Sequence, residues 1–190
     1  MESLIALCMG VTLSAACGFR AFVPPLAMSI AVREGNYPIA TGFEWIGSDV
    51  ALVTLSIATI IEILAYYIPV VDNFLDTIEI PTVLAIGTML TAASLGDIDP
   101  VLRWTIALIA GGGTAEIIEG FTVLTRLGST GMTGGLGNPL VSTTEAISST
   151  TLSIMAINVP FIAAIVIFVV LYFAGNKIWK YFYKPKTKIE

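Results

Sequence analysis

Residues 50–69 read VALVTLSIATIIEILAYYIP, and residues 101–125 read VLRWTIALIAGGGTAEIIEGFTVLT. Each run is long and apolar enough to cross a bilayer as a helix, which takes about 20 residues. The first run nevertheless contains Glu62, and the second contains Glu116 and Glu119. A carboxyl group is costly in hydrocarbon, so it usually faces the interior of a helix bundle and belongs to a path for ions or protons. The two stretches therefore predict an all-α, polytopic membrane protein with an intramembrane site.

The composition agrees with that class. Of the 190 residues, 56% are hydrophobic and 12% are charged, about half of the roughly 25% charged residues of a soluble domain. No stretch outside the apolar runs is long enough for a second domain. We therefore expect one transmembrane helical domain over residues 1–176 and a basic tail over residues 177–190. The N-terminus lacks the basic region of a cleavable signal peptide, so the first apolar segment is expected to stay in place.

The apolar runs, and the helix-breaking and capping residues between them, predict about five spans. The first is broken by Gly18-Phe19-Arg20 and by Pro24-Pro25, and the last is kinked at Pro160 because proline removes a helix hydrogen bond. Ser48 or Asp49 and then Asp99 are the predicted N-caps of the second and fourth spans. The spans cover residues 4–31, 50–68, 80–95, 100–124 and 150–173.

The basic residues set the expected orientation. Five of the nine lie at the C-terminus, where aromatic side chains alternate with them; they are Lys177, Lys180, Lys184, Lys186 and Lys188. Lys-rich flanks stay in the cytoplasm, so the C-terminus is predicted to be cytoplasmic. Interleaved tryptophan and tyrosine suit an anchor on anionic membrane lipids, and nucleic acid is not an expected partner.

Residues 126–149 read RLGSTGMTGGLGNPLVSTTEAISS, which is too rich in Gly, Ser and Thr for a lipid-facing helix. Irregular backbone is tolerated at membrane depth where it lines a cavity, so a re-entrant segment lined by Asn138 is predicted. An external loop with a short helix is the alternative. Ser142 and Glu145 have the spacing of a capping box for the helix that follows.

Two short similarities hint at an inverted repeat. The string TLSI occurs at 54–57 and at 151–154, and the spacing of Gly10 and Gly18-Phe19 recurs at Gly112 and Gly120-Phe121. Three spans separate the two copies, so they would have opposite orientations. Inverted repeats with broken helices are typical of transporters.

Charged residues at helical spacing supply the candidate ligands. Gly112, Glu116 and Gly120 lie at i, i+4 and i+8 on one face, with Glu119 beside them. The acids are predicted to bind a cation or a proton in a wet groove. The alternative is that Glu116 and Glu119 only form structural ion pairs with Arg20 or Arg126.

Glu62 shares a helix face with Ser56, Thr59 and Tyr66, so it is expected to point into the bundle as an ion ligand or proton carrier. The alternative is a carboxyl group that is only hydrogen-bonded to Tyr66 or Tyr67. Arg20 is expected to pair with Glu62 or Glu116, or else to hold an anionic headgroup.

Asp72, Asn73 and Asp76 lie close together in the segment PVVDNFLDTIEI over residues 69–80. If this segment is helical, the two aspartates share a face at i, i+4, where like charges repel unless a cation lies between them. An entrance for cations and a solvated turn explain the pattern equally well.

The chain has no histidine, and its two cysteines, Cys8 and Cys17, lie on opposite faces of one helix. These facts exclude histidine-based triads, imidazole-ligated haem and His-containing zinc sites. No nucleophile elbow, phosphate loop or dinucleotide fingerprint is present. We therefore expect no enzyme activity and no cofactor, and the identity of any bound metal is left open.

Three strings resemble a family of small prokaryotic integral membrane proteins catalogued as domain of unknown function 4126. They are ACGFRAFVP at 16–24, EILAYYIPVVDNFLDTI at 62–78 and GGLGNP at 134–139. The resemblance covers roughly residues 4–172. It implies a prokaryotic inner or plasma membrane location and a shared pattern without an established activity. The pattern falls on Gly18, Phe19, Arg20, Glu62, Asp72, Asn73, Asp76, Gly135, Gly137, Asn138 and Pro139.

These observations favour a small transporter or channel-like protein for a cation or a cation- or proton-coupled solute. A homodimer is expected, because a chain of 20.1 kDa is small for enclosing a path alone. One alternative is a protein that binds or translocates an anionic lipid. The other is a structural subunit of a membrane complex, in which every buried charge is merely paired.

Overall fold

In the computed structural model, residues 2–182 fold into seven helices and one short 3-10 turn, with no strand among them. The structure describes the backbone of residues 2–182 and the side chains of residues 3–68, 71, 75, 77–173, 175 and 176. The all-α prediction is therefore confirmed. The helices are α1 (Glu2–Cys17), α2 (Val23–Arg33), α3 (Asp49–Ala65), α4 (Pro69–Ser94), α5 (Pro100–Thr133), α6 (Asn138–Asn158) and α7 (Pro160–Phe182), with the 3-10 turn Glu44–Gly47 before α3.

Local side chains start two of the helices as predicted. The Ser48 hydroxyl accepts a hydrogen bond from the Ala51 amide at 3.1 Å, and the Asp99 carboxylate accepts one from the Leu102 amide at 3.0 Å. Both acceptors satisfy amides that the first turn of a helix leaves free. Pro100 follows Asp99 at the first helical position, where its missing N–H costs nothing.

The two predicted interruptions are both present. Between α1 and α2 the chain is unwound over residues 18–22, and prolines occupy the second and third positions of α2. At Pro160 the predicted kink is a full break: α6 ends at Asn158 and Val159 leaves the helical conformation, with φ −140° and ψ 60°. A residue before proline is disfavoured in the helical region, which explains why the chain separates into two helices there.

The third predicted span was too short. Residues 69–79, expected to include a loop, form the first part of α4, so that helix runs over 26 residues with Pro81 in its interior. Pro69 begins the helix in the position that suits proline. Pro81 removes a single hydrogen bond from a helix that continues on both sides.

Residues 126–149 form a helical hairpin rather than irregular backbone. Whether this hairpin is re-entrant or external stays a prediction. Helix α5 continues to Thr133 and ends at Gly134, which has φ 64°, the left-handed conformation that glycine adopts freely. Helix α6 begins at Asn138. The glycine-rich composition is needed only at this turn, and the Ser and Thr residues that follow lie within α6.

Helix α1 is the centre of the molecule and packs against α4, α6 and α7. Small residues allow α1, α4 and α5 to approach closely, as in membrane helix pairs. Gly10 packs against Thr91, and Gly111 and Gly112 pack against α4 as well. The Ser14 hydroxyl donates to the Gly87 carbonyl at 2.6 Å. Within α5, residues Ala107–Gly112 adopt a π-helix between the α-helical segments Pro100–Ile106 and Gly113–Thr133.

Among the described residues, two helices are long and apolar enough to cross a membrane: α4, over Thr77–Ser94, and α5. Three further apolar stretches are shorter, and they are Ser3–Cys17, Val23–Arg33 and Pro160–Phe173. Large apolar side chains cover the outside of α3, α5 and α7; on α3 they are Val50, Val53, Ile57, Ile60, Ile61 and Leu64. The five-span topology stays a prediction.

The Asp97 side chain holds the loop that contains Thr41 through two hydrogen bonds. The Asp97 carboxylate accepts from the Thr41 amide at 3.0 Å and from the Thr41 hydroxyl at 2.7 Å, and these bonds lower the pKa of Asp97 below its usual value. A carboxyl group with a lowered folded-state pKa stabilises the fold above its unfolded-state pKa. That stabilisation disappears as the pH falls through the folded-state pKa.

We therefore expect Asp97→Asn to lower the midpoint of thermal unfolding by a few degrees at pH 7 and by much less at pH 3. The measurement is thermal unfolding of both proteins in detergent at pH steps between these values. A difference that is the same at pH 7 and pH 3 would show that the charge of Asp97 is unimportant.

Candidate functional site

The break between α1 and α2 places Arg20 in the interior, where its side chain is fully buried. Its Nη2 atom donates to the Ser142 carbonyl at 3.0 Å and to the Ser142 hydroxyl at 2.5 Å, and it lies 3.2 Å from Oε2 of Glu145. The ion-pair partner is thus Glu145, and the predicted pairing with Glu62 or Glu116 is wrong. The prediction failed because Glu145 is 125 positions away in the chain and only the fold brings it to Arg20.

Arg126 on α5 binds the same carboxylate. Its Nε atom donates to Oε1 of Glu145 at 3.2 Å, and its Nη2 atom donates to Oε2, so the pair is bidentate. Glu145 lies in the middle of α6 and is buried. The predicted capping box of Ser142 and Glu145 is therefore wrong, because the helix already begins at Asn138 and both side chains bind arginine.

Tyr66 contacts both arginines. The guanidinium carbons of Arg20 and Arg126 each lie 3.9 Å from the centroid of the Tyr66 ring, well within the range of cation–π attraction. The Tyr66 hydroxyl donates a hydrogen bond to Oε2 of Glu79 on α4. A hydrogen bond from Tyr66 to Glu62 was the alternative to a ligand role for Glu62, and the bond that the structure shows for the Tyr66 hydroxyl runs to Glu79.

Glu62 holds the beginning of α2. Its Oε1 atom accepts from the Ala21 amide at 2.6 Å, and its Oε2 atom accepts from the Phe22 amide at 3.2 Å. A carboxylate is favoured at a helix N-terminus, where amides are unpaired and the helix dipole is positive. The side chain of Glu79 lies close to that of Glu62, and both acids line the same groove. Glu62 does point into the bundle, as its polar helix face predicted.

Together these contacts form a buried charged cluster, which we define by six side chains: Arg20, Glu62, Tyr66, Glu79, Arg126 and Glu145. Each charged member exposes 7% of its surface or less. The members come from the α1–α2 break, the end of α3, and helices α4, α5 and α6. Five separate segments therefore converge on one set of ionisable groups in the interior.

Two grooves reach this cluster from different sides. One, of about 330 Å³, lies between α3 and α4, and its charged lining residues are Glu62 and Glu79. The other, of about 290 Å³, lies between α5 and α6 beside Phe19, and its charged lining residue is Glu145. The contacts Glu145–Arg126–Tyr66–Glu79 connect the two grooves through the protein.

The other predicted acids lie outside the cluster. Glu119 is buried on α5, and the Thr122 hydroxyl donates to it at 3.3 Å. Glu116 is partly buried, and its Oε1 atom has no hydrogen-bond partner among the described side chains. Asn138 starts α6, and its Nδ2 atom donates to the Thr130 hydroxyl at 3.1 Å across the hairpin. Their ligand roles stay predictions.

Three predicted residues lie on the backbone of α4 but outside the described side chains: Asp72, Asn73 and Asp76. The entrance that they were predicted to form stays a prediction, as does the role of the basic tail, whose side chains are likewise outside the described part. Among the side chains that the structure describes, no group of three or more acidic or cysteine residues is placed to hold a metal ion.

Sequence reasoning missed Glu79 and gave Glu145 and Tyr66 subordinate roles. A signal for Glu79 was present, because extending the helix of the third span back to Pro69 places an acid inside it. For Glu145 the signal was its place among small polar residues at helical spacing, with Asn138, Ser142, Ser149 and Ser153 on the buried side of α6.

Gly10 and Gly112, which occupy equivalent places in the predicted repeat, both pack against α4. Gly18 packs against α5, whereas a side chain at Gly120 would meet open space. The inverted repeat stays a prediction.

The chain matches one family over residues 7–180, and the description of that family is "Domain of unknown function (DUF4126)". No curated protein and no solved structure matches the chain.

Proposed function

We propose that this chain, which belongs to the domain of unknown function 4126 family, is an integral membrane protein that passes protons through its interior on the Glu62–Glu79 pair. The observation that carries the proposal is the buried charged cluster with a groove on either side. The family description assigns no activity, so the argument comes from the residues themselves.

The distribution of polarity supports the membrane environment. Six of the described charged side chains are buried in the interior, whereas large apolar side chains cover α3, α5 and α7. Exposed apolar surface of this extent is typical of contact with lipid or another protein, and ionisable groups inside membrane proteins face the bundle interior. The cytoplasmic C-terminus and the prokaryotic inner membrane remain parts of this proposal.

The composition of the cluster favours a proton over a metal cation. It contains two guanidinium groups and three carboxyl groups, so full ionisation would leave one uncompensated negative charge in a buried place. Two ionised carboxylates held close together in a buried place repel each other, so Glu62 and Glu79 are expected to share one proton. That proton removes the repulsion and brings the net charge of the cluster to zero.

The two grooves supply access to this proton. Glu62 and Glu79 line the α3–α4 groove, and Glu145 lines the α5–α6 groove. The Tyr66 hydroxyl donates to Glu79, and the Tyr66 ring contacts Arg126, which binds Glu145. Because a guanidinium group keeps its protons, a proton would cross from Tyr66 to Glu145 on water in the α5–α6 groove rather than on Arg126. Chains of carboxyl and hydroxyl groups in membrane bundles are a recurrent form of proton relay.

One observation favours the alternative of an anionic lipid. The Nε and Nη1 atoms of Arg20 have no hydrogen-bond partner among the described residues, and a headgroup oxygen would suit them. However, Arg20 is fully buried and already bound to Glu145. A headgroup would have to enter the interior and compete with that carboxylate, so the geometry supports this alternative less well.

The test is proton flux into liposomes that contain the purified protein and an internal pH-sensitive dye, driven by a potassium diffusion potential. We expect the unsubstituted protein to acidify the interior faster than empty liposomes. Glu79→Gln and Glu62→Gln should each reduce the initial rate at least tenfold, because an amide cannot release the shared proton. Glu34→Gln, which changes an exposed acid at the end of α2, should leave the rate unchanged.

Gel filtration establishes that each variant is folded before its rate is compared. If liposomes with the folded, unsubstituted protein acidify no faster than empty liposomes, free passage of protons is contradicted. Wild-type rates in both glutamine variants would remove these two residues from the path. Stabilisation by anionic lipid that is lost in Arg20→Ala would favour the lipid alternative.

A further inference from the structure

The α3–α4 groove has the form of a small-molecule site. Its volume of about 330 Å³ falls in the usual range of about 300–1,000 Å³ for such sites. Its walls are apolar and are formed by Phe22, Ala58, Ile61, Ala65, Leu75 and Ile78. The polar side chains that line it are Glu62, Tyr66, Glu79 and Thr82. Apolar walls with a few convergent polar groups are the general pattern of ligand pockets.

The groove is open because α3 is attached to the rest of the protein along one side. Helix α3 packs mainly against α2 and the 3-10 turn, and its anchoring polar contacts run to the α1–α2 break. The Thr59 hydroxyl donates to the Phe22 carbonyl at 3.1 Å, close to the bonds that Glu62 accepts from the Ala21 and Phe22 amides. On the side facing α4, the exposed side chains of Ile61 and Ile78 border the groove. In a bilayer an amphipathic molecule could enter laterally between them.

The charge of the groove selects the ligand. Both ionisable acids in it are carboxyl groups, each with 7% of the residue exposed, and no described lining residue is basic. Arg20 and Arg126 contact Tyr66 and Glu145 and do not line the groove. An ammonium group placed between two carboxylates would make charge-assisted hydrogen bonds to both. A neutral ligand would gain only weaker hydrogen bonds from them, and an anionic ligand would be repelled.

We propose that the α3–α4 groove binds a lipophilic amine, whose ammonium group replaces the proton shared by Glu62 and Glu79. The exchange balances: the protonated amine enters, one proton leaves the carboxyl pair for the solvent, and the charge of the cluster stays the same. This inference rests on the proposed function, because it names the solute that exchanges with the same proton.

The test uses 4-phenylbutylamine and its neutral counterpart 4-phenylbutan-1-ol, which differ in charge and are closely similar in shape. Isothermal titration calorimetry of the detergent-purified full chain at pH 7 measures the affinity of each. Repeating the amine titration in phosphate and in Tris measures the protons released, because the two buffers differ in protonation enthalpy. We expect the amine to bind at least tenfold more tightly than the alcohol and to release one proton per molecule bound.

Two variants locate the site. Glu79→Gln should weaken amine binding at least tenfold, and Ala58→Phe, which fills the groove from its wall without changing a charge, should weaken binding of both ligands. Glu34→Gln is the charge-matched control and should bind as the unsubstituted protein does. The comparison of amine with alcohol is made on the unsubstituted protein and does not depend on the folding of a variant.

Equal affinity for amine and alcohol would overturn the inference and identify an apolar groove that suits a lipid chain. Binding without proton release, or binding unaffected by both Glu79→Gln and Ala58→Phe, would overturn it too. The outcomes are separable from the flux experiment. Proton flux without amine binding would overturn the amine site and support the proton path. Amine binding with proton release, together with liposomes that pass no protons, would support the amine site and overturn free passage of protons.

Discussion

Glu145→Ala is expected to lower the free energy of unfolding by about 3–5 kcal/mol, the usual effect of removing one partner from a buried ion pair. The physical reason is that two guanidinium groups depend on this carboxylate. Arg126 binds it through two atoms and Arg20 through one, and all three side chains are almost completely buried. Without Glu145, both positive charges would remain in the interior beside Tyr66.

Unfolding in mixed micelles, followed by the fluorescence of the native tryptophans, measures this effect. The control is Asp49→Ala, which breaks the pair between Asp49 and Arg33 at 2.6 Å. Because Asp49 is largely exposed, that change should cost at most about 1 kcal/mol. If the two variants lose the same free energy of unfolding, water reaches the buried charged cluster in the purified protein and its ion pairs contribute little to stability.

Gly18→Ala is expected to cost about 3 kcal/mol, near the upper end of the range for overpacking a tight contact. A β-carbon at this position would lie 2.6 Å from Cβ of Ile118 and 2.9 Å from the amide nitrogen of Glu119, and it would also contact the Ala115 carbonyl oxygen. Two of these atoms belong to the backbone of α5 and cannot turn away. The α1–α2 break would therefore be pushed from α5, and Arg20 would be displaced with it.

Gly113→Ala is the matched control for that substitution. Gly113 lies on α5 in helical conformation, and a β-carbon there would meet no atom within 4 Å. Alanine is favoured over glycine within a helix by roughly 1 kcal/mol, so this variant should be slightly more stable than the unsubstituted protein. The same unfolding measurement compares the two. If both alanine variants lose stability equally, close packing at Gly18 does not explain its presence.

Features that depend on neighbouring residues could be predicted from the sequence. The caps at Ser48 and Asp99 and the interruptions near Gly18 and Pro160 follow from backbone chemistry within a few positions. The inward direction of Glu62 followed from the polar residues on its helix face. These predictions needed no knowledge of how the helices pack.

The pairing of buried charges could not be predicted in that way. Arg20 meets Glu145 across 125 positions, and a local pattern that resembles a capping box suggested a different role for the same glutamate. Glu79 lay just outside the predicted third span of residues 80–95, but α4 begins at Pro69 and continues through Pro81. Only the packing of five segments decides which carboxyl group meets which arginine.

The π segment Ala107–Gly112 fixes the rotational phase of α5. A π-helix holds more residues per turn than an α-helix, and such a segment is in effect one inserted residue. Deleting one residue there would turn the first half of α5 by about 100° relative to the second. The first half places Trp104 against Phe43, with ring centroids 6.1 Å apart, and the second half places Arg126 against Glu145. A single inserted residue therefore lets Trp104 and Arg126 both reach their partners from one continuous helix. In an uninterrupted α-helix one of these two side chains would point about 100° away from its partner.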